Sequence, residues 1–110
     1  HAQRRAAHQE LHGDLADFVR AAAFVLKPSR GTAKFVLPPR RLVDLFDALG
    51  STDLHLETIR PVHSRDDQPA YLFEALARRQ SRAELEIMPP LIVFDHEGEY
   101  TPEMRKRLDP

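Results

Sequence analysis

Thr32-Ala33-Lys34-Phe35-Val36-Leu37-Pro38-Pro39-Arg40-Arg41-Leu42-Val43-Asp44-Leu45-Phe46-Asp47-Ala48-Leu49 is the stretch on which the fold turns. Up to Leu37 the residues alternate, Ala33, Phe35 and Leu37 against Lys34 and Val36, which is the period of a strand. Pro38-Pro39 ends the pairing, and from Arg40 the period changes. Leu42, Leu45, Phe46 and Leu49 recur at i, i+3, i+4 and i+7 and share one helical face, with Asp44 and Asp47 turned away. Gly50 is expected to stop this helix in the left-handed conformation. A helix over Asp14–Leu26 precedes the strand, and a second strand follows from Leu54 toward Val62. The order helix, strand, helix, strand belongs to a layered α/β sheet.

Several outer limits follow from composition. A chain of 110 residues fits one domain, 1-110, and one of this size buries only about 60–70% of its unfolded surface. Sixteen basic against seventeen acidic side chains leave almost no net field, so contact with nucleic acid needs a local patch. No cysteine is present, which excludes disulfides and thiolate metal sites and suits a reducing, cytoplasmic setting. The longest apolar run is too short for a membrane span, and no signal segment is expected. The first residue is His1, and a piece of a longer chain is the expected reading.

Along the chain, His8 and His12 are four apart, the spacing of two zinc ligands on a helix. The protease signature needs glutamate directly after the first histidine. Here Glu10 comes one place too late, Gly13 follows, and solvated connector residues are the expected reading. Asp14 is a good N-cap, with Asp17 adding charge to the first turn. Leu15, Phe18, Val19, Ala22 and Val25 or Leu26 form an apolar packing stripe. Lys27-Pro28 ends that helix, and Ser29-Arg30-Gly31 turns the chain.

The strand at Ala33–Leu37 carries apolar residues on both faces, as expected for a parallel strand covered by helices on both sides. Ligands of open α/β sheets gather beyond the carboxyl ends of the strands. That rule selects Arg40 and Arg41 after the first strand, and Arg60 and His63 after the second, as the candidate substrate-side residues. Arg40 and Arg41 would also sit in a helix's first turn, where a cation opposes the dipole. Ser64, Asp66 and His63 have the residue types of a hydrolytic triad, but neighbours in one loop cannot take its geometry, and no Gly-x-Ser-x-Gly elbow exists. Tyr71 to Ala77 fits a helix by propensity and a strand by alternation. Arg78, Arg79 and Arg82 flank a short alternating run, Ala83 to Met88. Met88-Pro89-Pro90 breaks the ladder before a buried strand, Leu91 to Phe94. Asp95-His96-Glu97-Gly98 is a tight turn, and Thr101 caps a last helix with Pro102 at its first position and Arg105, Lys106 and Arg107 in its last turn.

Four segments then carry a resemblance. They are Asp14 to Ala22 (DLADFVRAA), Leu37 to Leu42 (LPPRRL), Arg60 to His63 (RPVH), and Pro89 to Phe94 (PPLIVF) continuing through Glu99 to Glu103 (EYTPE). In this order they resemble the carboxyl-terminal half of a small S-adenosylmethionine-dependent methyltransferase, closest to the tRNA adenine-N6 methyltransferase family. Two departures stand out. The family's Ala-Arg-His-Glu is Ala7-His8-Gln9-Glu10 here, which withholds any substrate role from His8 or Gln9. Its Lys-Pro-Gly-Gly turn is Lys27-Pro28-Ser29-Arg30-Gly31. The family's glycine-rich cofactor loop and its Asn-Pro-Pro-Tyr motif, which holds and stacks a flipped adenine, are absent from this sequence.

The resemblance implies a Rossmann-like class I methyltransferase sheet, with parallel strands and an antiparallel strand inserted between them. Tyr71 to Ala77 would be that inserted strand, lying between Ala33–Leu37 and Leu54–Ile59. It also implies S-adenosylmethionine held mainly by an N-terminal half absent here, tRNA or another RNA as partner, and no catalytic residue in this chain, which alone would not transfer methyl groups. RNA phosphates would meet Arg40, Arg41, Arg60 or Arg65. The competing reading is a free-standing, non-catalytic interaction module that pairs, for example as a homodimer, through the open edge of strand Ala33–Leu37.

Overall fold

The computed structural model describes Leu15–Leu26 and residues 31–109, and the side chains of Asp17, Phe18, Ala22, Phe24, Val25 and Leu26 are outside that description. Helix α1 (Leu15–Leu26) leads to strand β1 (Thr32–Leu37), a short 3-10 turn (Pro39–Arg41) and helix α2 (Leu42–Leu49). Strands β2 (Leu54–His63) and β3 (Ala70–Arg79) follow, then the short strands β4 (Glu86–Ile87) and β5 (Leu91–Ile92) and helix α3 (Pro102–Leu108). The expectations at His8, His12, Asp14 and Lys27 to Arg30 lie outside the described residues.

The ambiguous segment is a strand. β3 runs antiparallel to both β1 and β2 and lies between them, in the order β1-β3-β2-β4. Because β3 opposes both neighbours, β1 and β2 run parallel and end at the same margin of the sheet. β4 and β5 each pair with β2 in parallel, over Thr58–Ile59 and Val62–His63. Between them Met88-Pro89-Pro90 interrupts the edge, and Pro61 of β2 sits at the same level. Prolines, which cannot donate to a ladder, thus share the one gap in that pairing.

Cross-strand rows explain where the core sits. Ala33, Phe35 and Leu37 stand opposite Ala77, Ala75 and Phe73, which in turn face Leu56, Ile59 and Pro61. Both helices pack on this row. Leu15 and Val19 of α1 and Leu45, Ala48 and Leu49 of α2 join it in one buried cluster. Ala75 and Ala77 are buried at its centre, and their small side chains leave room for the helices above. Complete burial of Leu45 and Val19 contributes about 1.5–3 kcal/mol each. One device makes the row continuous. The pairing slips between Leu56 and Thr58, so Glu57 is an extra residue, and Leu54, Leu56 and Ile59 all reach the helix side despite their uneven spacing. Glu57 uses its position to accept from Arg78 Nε at 3.2 Å and from Ser81 Oγ at 2.5 Å.

The opposite face holds a second, smaller core of Val62, Leu91 and Val93, packed by Leu72, Phe94 and Met104. Helix α3 covers only this part. Thr101 caps it as expected, accepting from Met104 N at 3.2 Å while its hydroxyl donates to Ile92 O at 2.5 Å. The Asp95 to Gly98 turn also forms, with Gly98 N donating to Asp95 O at 3.1 Å and Gly98 at φ 82°.

Four expectations are corrected. Among the described residues, helices do not cover both faces of β1: Val36 is 57% exposed, because α1 and α2 share one side and α3 stops short of this strand. Phe46 is 43% exposed and Ala48 takes its place in the core, since the buried face of a two-turn helix is narrower than the apolar stripe. Gly50 is right-handed, at φ −61°. Ser51 and Thr52 satisfy the helix end instead, their hydroxyls donating to the carbonyls of Ala48 and Leu49 at 3.0 and 2.9 Å. Finally, β2 continues through His63, so Arg60 lies within the strand and not beyond it.

Candidate functional site

Two groups of candidate residues sit at the shared margin where β1 and β2 end. After β1, the amide of Arg41 donates to Pro38 O at 3.0 Å, closing the 3-10 turn. The α-helix begins only at Leu42, so Arg41 is its N-cap and Arg40 lies outside its first turn. Arg40 is exposed. Arg41 reaches Asp44 Oδ2 at 3.3 Å, which offsets the cost of a cation at this helix end. It lines a shallow groove of about 380 Å³ with Leu15, Ala16, Asp44, Asp47, Ala48 and Ser51, on the helix side of the sheet.

At the end of β2, His63 Nδ1 lies 2.7 Å from the carbonyl of Gln68. A carbonyl only accepts, so Nδ1 carries the proton and Nε2 is left as an acceptor when the ring is neutral. Ser64 O takes the amide of Phe94 at 2.8 Å, and Arg65 Nη2 donates to His96 O at 3.1 Å. The loop after β2 is therefore strapped to the turn before α3. Arg65 is engaged in that strap, and His63 holds a backbone carbonyl, so no triad forms with Ser64 and Asp66. Ligating atoms of Asp66, Asp67 and His96 lie within 4.8 Å of one another, but all three side chains are exposed, and His96 Nε2 already meets Asp66 Oδ1 at 3.0 Å.

Arg60 leads elsewhere. It stands opposite Glu74 of β3, and its Nε is 3.8 Å from that carboxylate. Its Nη1 donates to Pro89 O at 2.6 Å, anchoring it at the proline break. Two further cations meet the same carboxylate: Lys34 Nζ at 3.4 Å and Arg107 Nη1 at 3.0 Å. Three strands or helices thus deliver positive charge to one acid. Burial pushes the Glu74 carboxyl up, but the hydrogen bond from Arg107 and the charges of Arg107 and Lys34 outweigh it and hold the group below its ordinary value. The four side chains line a groove of about 330 Å³ on the sheet face away from α1 and α2, with Thr58, Leu76 and Met88 completing its walls. Glu74 is the only acid in that lining, so its charge is outnumbered three to one.

Of the sequence candidates, only Arg60 joins this cluster; Arg40, Arg41 and His63 stay at the strand-end margin. Lys34, Glu74 and Arg107 were not singled out as site residues. Lys34 appeared only as the polar half of an alternation, and Arg107 only as a cation suited to a helix end. Their convergence depends on β3 placing Glu74 between β1 and β2, which no local pattern encodes.

These residues do not fit S-adenosylmethionine. The chain after β1 opens with Pro38 and Pro39, which offer no N–H groups, and no glycine-rich strand–helix turn occurs among the described residues. Among the described residues, the groove over Glu74 holds three cations placed to meet anions, and neither groove has donors arranged around an adenosine.

A search of solved structures finds the crystal structure of a predicted O-methyltransferase from Agrobacterium tumefaciens, with a TM-score of 0.71 at 23% identity. The two share the same mixed α/β fold over the matched part. The match covers 86% of this chain and 45% of that one, so the chain spans about half the length of the structure it resembles. No protein-family model and no curated protein matches the chain. Within this mixed α/β fold the inserted strand β3, expected from the resemblance, is present, and β1 is a sheet edge among the described residues. No described helix is long and apolar enough to cross a membrane.

Proposed function

We propose that this chain is the substrate-side portion of an S-adenosylmethionine-dependent methyltransferase that acts on N6 of an adenine in tRNA. The cofactor is held by a segment outside the described residues, which themselves complete the sheet and position RNA. The observation that carries the reading is topological. An antiparallel strand lies between two parallel ones, β1 ends the strand order among the described residues, and this arrangement superposes on 45% of the predicted O-methyltransferase structure. Val36 of β1 also presents apolar surface to solvent.

No step of methyl transfer is assigned to these residues, because their donor set does not suit the cofactor. Their contribution is binding: Arg40, Arg41 and Arg60 supply cations for phosphates, which position a nucleic acid without reading its sequence. His63 Nε2 is available as an acceptor on the same margin.

The test is to incubate tRNA and S-adenosylmethionine labelled in its methyl group with the intact protein encoded by the source gene, and separately with the 110-residue chain. Nucleoside mass spectrometry is expected to find labelled N6-methyladenosine with the former and none with the latter. Label on another nucleoside, or on protein, would overturn the tRNA adenine assignment. A stable homodimer joined through β1, with no methyl transfer by the intact protein, would favour the interaction-module reading instead.

A further inference from the structure

We infer that the groove over Glu74 is a phosphate-binding subsite formed by Lys34, Arg60 and Arg107, and that it takes a phosphodiester of the RNA strand. The inference deepens the RNA-modifying reading and rests on it. It moves the principal phosphate contact from the strand-end arginines to the face of the sheet.

Charge and anchoring both favour an anion here. Three cations reach within 4 Å of one carboxylate, at 3.0, 3.4 and 3.8 Å, and the groove lining holds no second acid. Like charges gathered this closely repel unless another anion shares them. A purely structural ion pair needs one cation per acid; the excess is what a ligand would neutralise. The cations also differ in a useful way. Arg60 is tied to Pro89 O at 2.6 Å and is only 21% exposed, so it is a fixed wall. Lys34 and Arg107 are 55% and 34% exposed and can reach toward a bound group while Glu74 keeps them over the groove. Thr58 adds a hydroxyl to the lining. Glu74 is a positioning residue, holding the cations without touching the ligand.

The experiment measures binding of a fluorescein-labelled single-stranded oligoribonucleotide to the intact protein by anisotropy over a range of salt. Lys34→Gln and Arg107→Gln are each expected to weaken binding about 3- to 10-fold and to flatten the slope of log affinity against log salt by about 0.7, as for loss of one phosphate contact on a single strand. Lys106→Gln, the same charge change one position away and outside the groove, is expected to leave both unchanged. Glu74→Gln keeps an acceptor oxygen on the same stem to hold the cations but removes the negative charge that repels a phosphate, and is expected to tighten binding about threefold; a network with only a structural role would give no gain. Circular dichroism establishes that each variant is folded, and Lys34→Gln, on an exposed side chain, keeps the test decisive if Arg107→Gln is not. Equal losses in all three cation variants, or none, would overturn the subsite. Binding of inorganic phosphate without any oligonucleotide binding would overturn the RNA assignment and mark the groove for a small phosphate ester. Groove-dependent RNA binding without methyl transfer would leave the subsite standing and reject the methyltransferase reading.

Discussion

Arg107, in the last turn of α3, donates to the Glu74 carboxylate in the middle of β3 at 3.0 Å, across 33 residues of sequence. This contact, with the small core around Met104, fastens the C-terminal helix to the sheet. The same two residues also line the groove that faces solvent beside it.

Removal of one partner from this network should be mild and removal of the shared acid should not. Arg107→Gln is expected to cost under about 1 kcal/mol, as for a partly exposed ion pair. Glu74→Ala is expected to cost about 1–3 kcal/mol, because it strips the acceptor from several donors at once. Urea unfolding midpoints measure both, and a double-mutant cycle isolates the pair.

Burial separates the two apolar edges of α2. Leu45 is completely buried and Val43 is 64% exposed. Leu45→Ala is expected to lose about 2–5 kcal/mol through the cavity it leaves, whereas Val43→Ala should stay within about 0.5 kcal/mol. Thermal or chemical denaturation of the pair checks the direction of the helix face.

Gly50 and Gly98 should respond to substitution in opposite directions. Gly50 has φ −61°, and an added Cβ would meet only Asp47 O at 3.4 Å and Phe46 O at 3.6 Å. Gly50→Ala is therefore expected to stabilise by about 0.4–1 kcal/mol through the unfolded chain. Gly98, at φ 82°, has open space around it but a backbone that disfavours any Cβ, and Gly98→Ala should cost about 1–2 kcal/mol. Melting temperatures of the two variants give the signs directly.

Acid should destabilise the fold through three carboxylates. The Ser81 hydroxyl, with Arg78, holds Glu57 below its ordinary value against burial. Glu74 is held low despite burial by Arg107 and Lys34, and Asp95 by the amides of Glu99 and Glu97. Each binds its proton less readily when folded than when unfolded. Their stabilisation is present above the ordinary carboxylate range, near pH 4, and is lost as pH falls through the lower folded values. Denaturant midpoints measured from pH 7 down to pH 3 should fall most steeply below about pH 4, and Glu57→Gln should flatten that fall.

Local patterns carried most of the secondary structure. Alternation at Ala33 to Leu37, the helical spacing from Leu42 to Leu49, and the Thr101-Pro102 start of α3 each act over a few residues, and each formed as read. Tyr71 to Ala77 satisfied both periods, so its own residues could not choose; the resemblance to a methyltransferase half placed it as the inserted strand. Phe46 and Gly50 were misread because which face is narrow, and whether a serine or threonine can cap a helix end, depends on what packs above and follows after.

Outside Tyr71 to Ala77, the amino-acid order by itself determined where strands and helices form, because periodicity, proline breaks and capping hydroxyls act between near neighbours. Tertiary structure alone decided that Lys34, Arg60 and Arg107 meet over Glu74, and that one sheet face is covered while part of the other is bare. Those outcomes depend on β3 entering between β1 and β2 and on the extra residue at Glu57, which together set which side chains from distant segments share a face.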